Sequence, residues 1–152
     1  MNAKMPKREL ILSEFLPYQL SVTSNAVSDL IARGYRGKFG LKIPEWRLMA
    51  VLGERDSATQ RDLVSATAMD KVSVNRASKA LTDRGLIIRA PNPADGRSHH
   101  LALSATGREL YEQIVPLAVS IETELQQALG REDAKLLADI LHKLRDQVSQ
   151  MV

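Results

Sequence analysis

Apolar positions between Ser13 and Arg33 fall on one helical face, with Leu16, Leu20, Val27 and Ile31 at i, i+4, i+11 and i+15. Pro17 is tolerated because it lies in the first turn. Gly34, Gly37 and Gly40 punctuate the stretch that follows, so the helix is expected to close near Arg33. Pro44 opens a second helix over 44–54, carrying Trp46, Leu48, Met49 and Leu52, with Gly53 and Asp56 at its exit. Thr59 and Asp62 form a capping box with Asp in place of Glu, ahead of a short helix with Leu63, Val64 and Ala66. Thr67-Ala68-Met69 then breaks the pattern. Asp70 caps a further helix over 71–84, which Gly85 ends. Two short helices separated by such a turn are the signature of a helix-turn-helix.

The period then changes. Leu86 to Ala90 reads as a strand, Pro91 to Arg97 as a turn-rich tip and Ser98 to Leu103 as the return strand. The hairpin is a wing appended to the helix-turn-helix. Beyond it, Ser104 caps a helix of about 105–129, with Leu110, Ile114, Leu117, Ile121 and Leu125 on one face and an expected kink at Pro116. Gly130 stops it. A last helix, 132–149, starts with Glu132 and Asp133 at its positive end and carries Leu136, Leu137, Ile140, Leu141, Leu144 and Val148. The expected fold class is mainly α with a small β-wing, and the length of 152 residues suits one domain.

Composition narrows the chemistry. The absence of cysteine removes disulfides, thiolate metal sites, Fe–S clusters and thiol switches. No apolar run reaches the roughly 18 residues of a membrane span, and Leu10-Ile11-Leu12 is too short for a signal-peptide core. The chain is therefore expected to be cytoplasmic, without a membrane partner. Net charge is only +3, but residues 71–97 hold Lys71, Arg76, Lys79, Arg84, Arg89 and Arg97 against Asp83 and Asp95. A basic centre beside an acidic C-terminal third suits a polyanionic partner, although mixed solvated faces are common.

On a helical wheel, Val74, Ala77, Ser78 and Leu81 share one narrow face of the helix 71–84. The opposite arc carries Val72, Arg76, Lys79 and Asp83, flanked by Ser73 and Asn75. That arc suits a major groove: Arg or Lys reaches guanine N7 and O6, Asn pairs with adenine, and Val72 meets a thymine methyl. Ser73 and the helix N-terminus, with Lys71, suit phosphate. Taken alone the arc is equally an ordinary solvated face. At the wing tip, Arg97 can enter a minor groove with Asp95 orienting it; the plainer reading is an Asp-Gly turn with a solvated Arg.

These residues carry a resemblance. The stretch from Ile43-Pro44-Glu45-Trp46-Arg47 to Leu110 resembles the MarR family of bacterial winged-helix regulators. The matching pieces are Asp70 to Arg76, Leu81 to Ile87, the D-x-R of Asp95-Gly96-Arg97, and Leu103 to Arg108 as the family's L-[ST]-x-x-G-[RK] helix start. The resemblance implies a homodimer, with helices about 10–33 and 105–150 as the dimerisation region and the winged helix at about 44–103. It implies a pseudo-palindromic duplex operator and, commonly, repression relieved by a small molecule. It places the effector pocket where the first helix, the helix 44–54 and the early helix 105–129 meet. Trp46 lies there, and Arg36, Lys38, Lys42 and Arg47 are near in sequence. An indole face with basic groups suits an anionic ligand with an apolar or aromatic body. The competing reading makes Trp46 plain core.

Rival classes are weaker. His99 and His100 are adjacent on a strand, point to opposite faces and cannot chelate one ion together. No cofactor or metal is expected, nor an enzyme: the glycines at 34, 37 and 40 lack the strand–helix context of a phosphate loop. An effector-independent architectural DNA binder and a winged helix used only for protein interaction remain as alternatives.

Overall fold

The computed structural model describes residues 9–152. A 3-10 turn, Leu12–Glu14, leads into α1, Leu16–Phe39. The helix runs past the expected stop at Arg33, and packing explains why. A Cβ at Gly34 would lie 3.2 Å from Leu117 Cδ2, so the small residue there admits a neighbouring helix rather than breaking its own. The true stop is Gly40. It takes the left-handed conformation at φ 62° and donates its N–H to Arg36 C=O at 3.2 Å.

Next come α2 (Ile43–Glu54), β1 (Ala58–Thr59), α3 (Gln60–Thr67) and α4 (Lys71–Asp83). The caps follow the sequence closely. Thr59 Oγ1 accepts from the Asp62 N–H at 3.1 Å while Asp62 Oδ2 accepts from the Thr59 N–H at 2.9 Å. Asp70 Oδ1 accepts from the Ser73 N–H at 2.8 Å. Both carboxyls are held below their ordinary range, chiefly by the hydrogen bonds they accept from the Thr59 and Ser73 N–H groups respectively. A depressed folded-state value means that the stabilisation is complete above the unfolded value of about 3.9 and fades as pH falls through the folded one.

The wing is longer than expected. β2 spans Ile87–Asn92 and β3 spans Asp95–Leu103, leaving only Pro93 and Ala94 as the turn. The sheet order is β1-β3-β2, all antiparallel, with Ile87 opposite Leu103, Ala90 opposite His100 and Asn92 opposite Asp95. Pro91 fits because β2 is an edge strand, where its missing N–H is not needed on the outer side. The two-residue β1 was not anticipated. It exists because β3 offers a second edge, pairing Ala58 with Leu101 and Thr59 with His100.

Two long helices complete the chain: α5 (Ala105–Leu129), which continues through Pro116, and α6 (Arg131–Gln150). One core joins the end of α1 to the winged helix, through Tyr35, Phe39, Leu48, Leu52, Leu63, Val74, Leu81, Ile87, Leu101 and Ile114. By contrast, α6 buries none of its residues, and the first half of α1 is exposed.

Candidate nucleic-acid interface

α4 divides as its sequence predicts. Val74, Ala77, Ser78 and Leu81 are its buried residues, facing α2 and α3. Val72, Asn75, Arg76, Lys79 and Asp83 are exposed, as is Lys71, and Ser73 is half-buried. Val72 is 63% exposed, an apolar side chain that nothing in the fold covers. The apolar face holds the helix against its scaffold, and the other presents chemistry outward.

Several outward side chains already have partners. Ser73 Oγ donates to Asp70 Oδ2 at 2.7 Å, so the hydroxyl serves the cap as well as the surface. Lys79 Nζ pairs with Asp83 Oδ2 at 3.0 Å on a largely exposed i,i+4 arrangement. Such a pair is worth only about 0.3–0.5 kcal/mol and is readily exchanged for a phosphate or base. Asn75 accepts, through Oδ1, a hydrogen bond from Gln60 Nε2 at the start of α3. Sequence reasoning missed Gln60, because it lies fifteen residues from Asn75 and on another helix.

The wing lies beside these helices. A cleft of about 540 Å³ is lined by Thr59, Gln60, Arg61, Val64, Lys71, Asn92 and Ser98. It joins the starts of α3 and α4 to the two strands, so the recognition elements share one side of the molecule. Asn92 Nδ2 donates to Ser98 Oγ at 3.0 Å and ties the two strands together next to the turn, while the Ala94 N–H donates to Asn92 Oδ1 at 3.0 Å. Asp95 begins β3, and Arg97 is exposed two residues on.

The other sequence-named site is an aromatic stack. Trp46 of α2 lies 4.9 Å from Tyr35 of α1 and 6.4 Å from Tyr111 of α5, centroid to centroid, with rings inclined by 26° and 20°. Burial pushes the Tyr35 hydroxyl up from its ordinary value. Tyr111 fits because residue 53 is glycine: a Cβ there would fall 2.2 Å from the ring. Arg108 lies over Tyr111 at 5.7 Å and donates to Gly53 C=O at 3.2 Å. Tyr35 and Tyr111 had no local signal, since α1 and α5 bring them to Trp46 on α2, and Arg108 was named only as a motif residue at the start of α5. Arg36, Lys42 and Arg47 are all exposed, and Trp46 lines none of the three clefts described.

A third linkage was also unread. Arg84, at the exit of α4, donates from Nη2 to Phe39 C=O at 3.1 Å and from Nη1 to Gly40 C=O at 3.2 Å. Arg84 is one of the basic side chains expected to suit a polyanion, but in the fold it binds the end of α4 to the end of α1. Among the described residues no group of three His, Asp or Glu side chains is placed to hold a metal, and no helix is long and apolar enough to cross a membrane. Ser57 Oγ and His100 Nδ1 are 3.2 Å apart, whereas His99 is exposed.

The likeness to known proteins follows this geometry. The MarR family profile matches residues 39–98, the span from the end of α1 into the wing. The transcriptional regulator FarR of Neisseria gonorrhoeae is 29% identical over 100 residues, covering 66% of this chain and 68% of that protein. The MarR family regulator SPO1453 of Silicibacter pomeroyi superposes with a TM-score of 0.79 at 30% identity, over 92% of this chain and 99% of that one. NadR in complex with 4-hydroxyphenylacetate superposes at 0.74 with 25% identity, over 92% and 97%. Motifs, winged helix and full-length likeness agree, and the chain belongs to the MarR family of transcriptional regulators.

Proposed function

We propose that the protein is a homodimeric repressor that grips a pseudo-palindromic operator with two α4 helices and two wings, and that a small anionic effector with an aromatic body releases it. The observation that carries the DNA reading is the division of α4: a wholly packed face opposite an arc of Val72, Asn75, Arg76 and Lys79. Ser73 and Lys71 at its start suit phosphate, Arg76 and Lys79 suit guanine, and Arg97 on the wing suits a minor groove.

Dimerisation rests on surface the single chain leaves uncovered. Leu10, Leu16 and Leu20 near the N-terminus and Leu136, Leu137 and Ile140 on α6 are all exposed. A soluble monomer rarely leaves an apolar surface of this extent uncovered. Two copies with half-sites about one helical turn apart, roughly 10 bp, match the two-fold symmetry of such operators.

The salt dependence of binding tests this directly. With about four phosphates neutralised per protomer, log K against log salt should fall with a slope near −7. Arg76→Ala should relax base choice and cost about 1–3 kcal/mol per half-site. Arg97→Ala should weaken every sequence, most where the minor groove is narrow. A slope near zero, or equal losses on every operator variant for both substitutions, would overturn these assignments.

The effector reading is supported by the stack of Tyr35, Trp46 and Tyr111 across three helices and by the relative that holds an aromatic carboxylate. Arg36, Lys42 and Arg47, exposed around that junction, are the cations proposed for the ligand's anionic group. Trp46 is the only tryptophan. Titrating aromatic acids and acyl thioesters should quench or shift its emission at the concentration that releases DNA. A ligand that releases DNA with the emission unchanged, and with affinity intact in Trp46→Phe, would place the pocket elsewhere.

A further inference from the structure

We infer that Gln60 sets what Asn75 reads: its amide occupies Asn75 Oδ1, so that Asn75 meets the major groove as a hydrogen-bond donor and selects guanine over adenine in each half-site. The inference rests on α4 being the groove helix. Two observations carry it. Gln60 Nε2 donates to Asn75 Oδ1 from the first residue of α3. Gln60 Oε1 is buried and has no partner.

The buried Oε1 keeps that end of the Gln60 amide away from solvent and from DNA; Nε2 is the end that reaches Asn75, and Asn75 Oδ1 is the atom that receives it. Asparagine pairs with adenine by accepting from N6–H through Oδ1 while donating from Nδ2 to N7. With Oδ1 turned toward Gln60, Nδ2 is the end of the Asn75 amide that faces away from it. Guanine offers two acceptors in the major groove, N7 and O6, where adenine offers one acceptor beside a donor. The adenine pairing suggested by Asn75 alone is thus displaced by a neighbour on another helix.

Selection from a randomised duplex library with the full-length protein tests this. Asn75→Ala identifies the position it governs as the one whose preference disappears. There the wild type should favour guanine over adenine about tenfold, within the range of a good base contact. Gln60→Leu keeps the volume and frees Oδ1, so adenine should rise to match or exceed guanine at that position alone. Gln60→Glu can only accept; it should take Asn75 Nδ2, turn Oδ1 outward and favour a base that donates there, adenine through N6 or cytosine through N4, over guanine. An acid in the first turn of α3 favours the helix, so this variant should fold even where Gln60→Leu does not. Adenine at the governed position in the wild type would overturn the inference. So would unchanged base choice in Gln60→Glu, or no lost preference in Asn75→Ala. A wild-type chain that enriches no sequence would overturn the operator reading itself, and this inference with it.

Discussion

Gly107→Ala should be among the most damaging single-methyl additions to this protein. A Cβ at residue 107 would stand 1.9 Å from Leu86 C=O oxygen and 2.9 Å from its carbon. Neither can yield alone. Leu86 C=O accepts the Ser104 N–H at 3.0 Å, and Ser104 Oγ accepts the Gly107 N–H at 3.0 Å while donating to Gly85 C=O at 2.6 Å. The exit of α4, the start of β2 and the first turn of α5 are thus fastened at one point. Relief of the clash must move α5 away from the winged helix as a unit. A cost of about 3 kcal/mol or more is expected, a large part of a typical total of about 5–15 kcal/mol. For a chain of this size the melting midpoint should fall by about 6–12 °C. Gly37→Ala is the contrast: its Cβ would meet nothing within 4 Å, inside a helix, and should raise stability by about 0.5–1 kcal/mol. Calorimetry of the two variants checks the pair. A Gly107→Ala midpoint within a degree of wild type would mean that this junction is not closed.

The same junction shows what the sequence could carry. Gly107 was legible as part of a motif at a helix start, but its reason is a carbonyl twenty-one residues earlier, which no local pattern reports. Local regularities were read well. The wheel of α4 separated Val74, Ala77, Ser78 and Leu81 from Arg76 and Lys79 because one helix's period is written in that helix alone. The Thr59, Asp70 and Ser104 caps were legible for the same reason. What failed was settled by neighbours. Gly34 looked like a breaker, and Leu117 on α5 makes it a contact residue. Pro91 looked like a turn, and the free edge of β2 makes it a strand residue. The aromatic neighbours of Trp46, Tyr35 on α1 and Tyr111 on α5, lie on other helices and left no mark in its local sequence. Arg84 looked like part of a basic face, and the carbonyls that end α1 claim it.

α6 supplies the other large effect, and it follows from what the single chain fails to bury. Leu136, Leu137, Ile140, Leu141, Leu144 and Val148 sit on one side of the helix at i, i+1, i+4, i+5, i+8 and i+12. Leu136 is 56% exposed and Ile140 51%, and Leu144 is half-buried. In the proposed dimer this stripe meets the exposed apolar positions near the N-terminus, and covering the half of each large side chain that is still exposed contributes about 1 kcal/mol. Leu137→Glu with Ile140→Asp should remove two such contributions and place two carboxylates in the apolar stripe. The expected result is a monomer at micromolar concentration by sedimentation. Operator binding should fall by about a thousandfold or more, because two linked half-sites become two separate weak encounters. The winged-helix core should survive, since neither residue contributes to it. Retained near-ultraviolet signal from Trp46, with its stack on Tyr35 and Tyr111, would separate lost pairing from lost folding. A double variant that remains dimeric and binds its operator like the wild type would remove α6 from the interface, and would leave its apolar stripe without an account.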